Sequence, residues 1–189
     1  MALEKLKLKL VGVAPIMFHN ERLANPTDPG TRELRRLTTQ RNKSDDILEQ
    51  IKKIEWRLGF YESEDKRPVV TSDMVLASVL QGARKLKKGK EVSAGVLAEE
   101  PWFPLTYDGP KQIDDLYEDA RFVDYRSVVI SGRRMMRARP VFKAWSLSVV
   151  LMYDEELING RDLRQAAEIA GERIGMGERR PRLGRFLVE

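Results

Sequence analysis

The sequence predicts an α+β fold, an antiparallel sheet with helices on one face, and three observations predict it. Residues 4–13 alternate strictly, with Leu6, Leu8 and Leu10 on one side and Lys5, Lys7 and Lys9 on the other. That is the period of a half-buried strand. Residues 121–131 and 140–153 are rich in Val, Ile, Phe, Trp and Tyr, the composition of two further strands. Between and after these runs lie segments whose apolar residues recur at helical spacing. The resulting order is strand, helices, strand, strand, helix, strand, which is the ferredoxin-like or RRM-like arrangement.

The first strand runs into APIMFHN and then ERLANPTDPGT, where Pro, Asn, Asp and Gly mark a loop. Ser44, Asp45 and Asp46 form a helix start, because the hydroxyl caps free N–H groups and the carboxylates oppose the dipole. Ile47, Ile51, Ile54 and Leu58 follow at helical spacing, with Gly59 at the stop. A second helix begins at Thr71 or Ser72, carries Val75, Leu76, Val79, Leu80 and Ala83, and stops at Gly89. In 91–120, VSAGVLA reads as a short strand and PWFPLTYDGP as a Pro-punctuated loop. Along 140–153, Trp145, Leu147, Val149 and Leu151 alternate with serines, and SGRRMMRAR joins the two strands or extends them as a hairpin. A third helix puts Leu163, Ala166, Ala167 and Ala170 on one face. IGMGERRPRLGRFLVE, from Ile174, then delivers a final strand. The expectation is one domain over 1–189, with insertions at about 14–43 and 62–120.

The 189 residues suffice for one well-cored domain. With 42% hydrophobic and 33% charged residues, the composition is that of a highly charged globular protein. The absence of cysteine excludes disulfides and thiolate metal sites. The N-terminus lacks the continuous apolar core of a signal peptide, and AWSLSVVLMY is too short to span a bilayer. A cytoplasmic location is expected. No Walker loop or dinucleotide fingerprint is present, and no cofactor or metal is predicted.

The net charge of +5 is unevenly distributed. From Tyr125 to Tyr153 there is no acidic residue, yet Arg126, Arg133, Arg134, Arg137, Arg139 and Lys143 fall there. Other basic runs hold Arg35, Arg36, Arg41 and Lys43, and Arg84 to Lys90, while acidic residues concentrate in 99–124. This asymmetry predicts a basic face and an acidic one.

The glycine-rich stretch between the last helix and the terminal GRF strand resembles the signature of the RAMP superfamily, the RNA-binding proteins of CRISPR effector complexes. Pro140 to Phe186 is similar to the closing strand, helix and glycine loop of the backbone subunit of class 1 effectors. PVVTSDMVLASVLQGARK resembles, more weakly, a Ser-containing turn before a helix with a basic end. The pattern is also similar to uncharacterised phage and prophage proteins. The resemblance implies a phage-derived, non-catalytic protein that binds single-stranded nucleic acid, RNA before DNA, and assembles with copies of itself along the strand. The chain departs from effector backbone subunits in being short, with little room for a large thumb domain.

Gly175 and Gly177 are candidates for a loop that approaches phosphates, with Arg179, Arg180 and Arg182 as donors, although the same glycines serve equally to stop a helix and turn the chain. Arg133, Arg134, Arg137, Arg139 and Lys143, with Arg35, Arg36, Arg41 and Lys43, would supply the salt-sensitive part of nucleic-acid affinity. Phe142, Trp145 and Tyr125 are candidate stacking surfaces, with Trp145 reading more as core because it is in phase with Leu147 and Val149. His19 is the only histidine. As related ribonucleases use a histidine as general acid or base, a His19 ribonuclease is one alternative. A phage assembly protein, whose basic face meets the acidic 99–124 of a neighbouring copy, is the other.

Overall fold

The computed structural model describes residues 3–130 and 132–189. Chain order is β1 (Glu4–Gly12), β2 (Ile16–Met17), α1 (Pro29–Thr38), α2 (Asp45–Leu58), β3 (Val69–Thr71), α3 (Ser72–Lys85) and α4 (Gly89–Gly95). It continues with β4 (Val96–Ala98), β5 (Trp102–Pro104), β6 (Val123–Ile130), β7 (Arg133–Phe142), β8 (Ser146–Tyr153), α5 (Gly160–Ile169) and β9 (Phe186–Val188). The fold is α+β and all strand pairs are antiparallel.

A four-stranded sheet has the order β4-β8-β1-β9. Its connectivity is β1-α3-β4-β8-α5-β9, a β-α-β-β-α-β unit whose second and fourth strands lie at the edges. The alternation of 4–13 holds: Leu8 pairs with Val149 and Leu10 with Leu147, all buried, while Lys5, Lys7 and Lys9 face solvent. α3 and α5 pack side by side, and Val75, Val79, Leu163, Ala166 and Ala167 bury their apolar stripes in the core shared with this sheet.

A second sheet, of order β2-β7-β6, stands beside the first. Its base closes over an aromatic core in which Phe142 meets Phe18, Phe60, Phe122 and Tyr107 at centroid distances of 4.7–6.2 Å. Trp56 joins Phe60 and Tyr117, and its indole N–H donates to the Phe122 carbonyl at 2.9 Å. Offset and edge-on rings of this kind add to the area they bury.

Several expectations change. The run 140–153 is two strands, because the chain bends at Lys143 to Trp145 and passes from one sheet to the other. The Trp145 ring fills the space above Gly12, and its indole N–H donates to the Ala14 carbonyl. The run 121–131 therefore belongs to the second sheet, and the second strand of the β-α-β-β-α-β unit is the short β4. α3 and β4, both within the supposed insertion 62–120, are parts of that unit, while α2 packs on β7 instead.

The loop expected at ERLANPTDPGT ends in the first turn of α1: the Asp28 carboxylate accepts from the Thr31 N–H, and Pro29 occupies that turn. A proline there loses no helical hydrogen bond, so TDPG starts a helix as readily as it marks a loop. α3 is capped by Thr71 as expected but ends at Lys85, and Gly89 opens α4. α2 begins at the Ser44 cap and ends at Gly59, yet buries Glu55, Trp56 and Leu58 more deeply than its isoleucines.

Candidate nucleic-acid interface

β6 and β7 form a ladder from Val123–Pro140 to Ile130–Arg133. Cross-strand partners share a face, and successive residues alternate between faces. One face carries the pairs Asp124–Arg139, Arg126–Arg137 and Val128–Met135, with Arg133 next along it. The other carries Tyr125–Ala138, Ser127–Met136 and Val129–Arg134. Toward its tip the hairpin is exposed on both sides, with Tyr125, Val129, Met135 and Met136 all open to solvent. It is an arm with a basic face and an apolar one.

The register separates the predicted arginines. Arg133, Arg137 and Arg139 lie together, joined by Arg126, while Arg134 points the opposite way and donates to the Ser127 hydroxyl. Arg137 donates to Glu55 Oε1 at 2.6 Å, and Glu55 Oε2 accepts from the Ala138 N–H at 2.9 Å. Glu55 thus compensates Arg137 and holds α2 to the edge of β7. Arg139 is nearly enclosed, with its nearest carboxylate, Glu178, at 3.7 Å, and its buried Nε has no partner among the described residues.

The basic face runs down to two adjoining cavities that meet at His19 and Glu21. One, of about 450 Å³, lies between α1 and β7 and is lined by Leu34, Arg35, Glu55, Arg137 and Arg139. The other, of about 360 Å³, is lined by Tyr61, Asp73, Met74, Gly177, Glu178 and Arg180. On the β6 side, Arg126 and Lys143 border a third hollow of about 300 Å³. Burial and the Arg139 charge hold the His19 imidazole below its ordinary pKa of 6.5, against the opposing pull of Glu178 and Glu55. Burial pushes the Tyr61 hydroxyl up.

The glycine loop packs against its own protein. The Gly175 N–H donates to the Ala170 carbonyl, the Met176 N–H to Gly184, the Glu178 N–H to Met17 and the Gly184 N–H to Pro15. The Gly175 carbonyl accepts from the Ser78 hydroxyl at 2.9 Å. A β-carbon on Gly175 would meet the Leu183 carbonyl at 2.6 Å, and one on Gly177 the Met17 carbonyl at 2.5 Å. The Gly175 N–H is thus engaged within the protein, while Gly177, held close to the Met17 carbonyl, also lines the cavity of about 360 Å³. Of the arginines beyond them, Arg180 reaches the cavity wall, and Arg179 and Arg182 are exposed.

The remaining candidates are dispersed. Arg36 pairs with Glu33, Arg41 is exposed in the loop after α1, and Lys43 donates to the Gln40 carbonyl. Phe142 and Trp145 are buried and offer no stacking surface; Tyr125 is exposed, but on the face opposite the arginine row, with Lys52 over its ring at 5.4 Å. Acidic residues of 99–124 such as Asp108, Asp114 and Glu118 are exposed. Sequence reasoning passed over Tyr61, Glu55 and Glu178 around His19, since no local motif links them. The single-face row of Arg126, Arg133, Arg137 and Arg139 was open to it, through period-two counting along the two strands. No protein-family model matches this chain, and a search of curated proteins finds no match to it.

Proposed function

We propose that this is a single-stranded nucleic-acid-binding protein that takes the strand along the basic face of its β6–β7 arm and into the cleft at its base. The observation that carries the proposal is the row of Arg126, Arg133, Arg137 and Arg139 on one face, leading to a cavity whose far wall holds Arg35. Guanidinium groups spaced along a ribbon suit a phosphate backbone, because each offers a planar fork of donors. Apolar side chains among them, Val128 and the flexible Met135, suit bases without selecting sequence. The RAMP-like ending favours RNA over DNA and adds assembly of several copies along the strand.

The test is binding of labelled single-stranded RNA and DNA oligonucleotides at two salt concentrations. Wild type binds at low salt and weakens as salt rises. Arg133→Ala lowers the salt slope by about 0.7, the share of one phosphate no longer neutralised. Arg134→Ala, on the opposite face, leaves it nearly unchanged. Absence of wild-type binding at low salt sinks the proposal. His19 beside Tyr61 at the meeting of two cavities favours a second reading, a ribonuclease. RNA cleavage that is abolished by His19→Ala would select it.

A further inference from the structure

The cavity between α1 and β7 carries an unbalanced charge. Three arginines line it: Arg35, Arg137 and Arg139. Arg137 is satisfied by Glu55 at 2.6 Å. Arg139 is 11% exposed at its side chain, its Nε is buried without a partner among the described residues, and Glu178 stands off at 3.7 Å. Arg35 is exposed at the opposite wall and forms no ion pair among the described residues. A nearly enclosed cation with one long ion pair and an unpartnered Nε favours a further anion beside it. Leu23, Ala24 and Leu34 form an apolar part of the lining, among polar groups such as Asn20, Thr31 and Thr38, and the volume of about 450 Å³ falls in the range of small-molecule sites.

We propose that this cavity is a pocket for one nucleotide, with Arg35 and Arg139 closing on its phosphate and Leu23, Ala24 and Leu34 receiving its sugar or base. It rests on the nucleic-acid reading only for the source of the nucleotide, a residue turned out of the bound strand. The carboxylates near the cavity do not oppose it: Glu55 is engaged by Arg137 and the Ala138 N–H, Glu178 faces Arg139, and Glu21 is exposed at the rim. The depressed basicity of His19, caused by burial and by Arg139, agrees with a positive potential at the cavity mouth.

His19 is the only histidine, so its imidazole gives one unambiguous NMR signal at the rim. The experiment titrates the protein with inorganic phosphate, uridine 5′-monophosphate and a short single-stranded oligonucleotide, while an anisotropy assay follows the oligonucleotide. The nucleotide and the oligonucleotide are expected to shift the His19 signal and raise its pKa, because a bound phosphate offsets the Arg139 charge. Arg139→Gln and Arg35→Gln should each weaken the nucleotide response about tenfold or more, the scale of a lost charged hydrogen bond. Arg35 is a surface residue of α1, so its variant keeps the test valid if Arg139→Gln fails to fold.

A silent His19 with both nucleotide probes overturns the proposal, as does a nucleotide response unchanged in the Arg35 variant. A response to inorganic phosphate as strong as that to the nucleotide overturns the assignment of the apolar wall. Oligonucleotide binding that leaves His19 undisturbed removes the pocket and keeps the strand-binding reading. A nucleotide response without oligonucleotide binding does the reverse.

Discussion

In the four-stranded sheet, β8 sends Leu147, Val149 and Leu151 into the core, against Leu8 and Leu10 of β1. In the arm, β7 is at least as long, but Met135 and Met136 are both exposed, as is Val129 on the neighbouring strand. The first region has one wet face and one dry face, and the dry face fixes its register. The second has two wet faces, and its pairing is anchored only at the base, where Phe142 enters the aromatic core and Glu55 binds the Ala138 N–H. A free two-stranded ribbon gains little stability of its own. The sheet therefore holds the fold together, while the arm is a surface held out by the fold.

The largest separation between the two regions should come from glycine replacement. Gly184 has φ of +71°, and a β-carbon there would sit 1.8 Å from the Met176 carbonyl oxygen, with both backbones fixed in the loop ahead of β9. Gly184→Ala is expected to cost about 3–5 kcal/mol in denaturant unfolding, the scale of a steric fault in a packed backbone. Gly132, at the arm, has φ of +77° with nothing within 4 Å of such a carbon. Gly132→Ala should cost only about 1 kcal/mol, from conformation alone. Equal losses would break the distinction.

The anchor at the arm's base is next. Arg137→Ala leaves the buried Glu55 carboxylate without its cation and is expected to destabilise by about 3 kcal/mol. Arg133→Ala, out along the same face, should change stability by less than about 0.5 kcal/mol while weakening oligonucleotide binding. If Arg133→Ala lowers stability as much as Arg137→Ala, the arm is part of the folding core.

The smallest effect is pH dependence. The folded-state pKa of His19 lies below the unfolded value of about 6.5, so the unfolded chain binds the proton more readily between those two values. His19 therefore contributes stability that is complete above about pH 6.5 and is lost as pH falls through its folded pKa. Chemical denaturation across that window should show a slope that His19→Gln removes. An unchanged slope would place the imidazole in a more open setting.

Local chemistry made much of this legible in advance. The Leu–Lys alternation of 4–13, the Ser44 and Thr71 caps and the alanine face of α5 each depend on neighbours a few residues away, and each forms where its spacing points. The boundary at Lys143 to Trp145 was hidden because two consecutive strands of similar composition read as one run. The α1 start was hidden because Asp-Pro-Gly suits a turn and a helix cap alike. Around His19, the groups come from the segment after β2, α1, α2, β7, α3 and the glycine loop, and no spacing in the chain relates them.

By itself, then, the sequence determined the α+β class, the terminal strands, the Ser44 and Thr71 caps and the acid-free, arginine-rich stretch from 125 to 153, because these follow from periodicity, capping and charge along the chain. Only the tertiary structure decided which arginines share a face. The β6–β7 register sets Arg134 against Arg133, burial sets Phe142 and Trp145 apart from Tyr125, and backbone contacts with Met17, Leu183 and Pro15 turn the glycine loop inward. Each of these outcomes depends on what lies across a strand or beneath a loop, and a side chain's distant partners are fixed only once the chain has closed on itself.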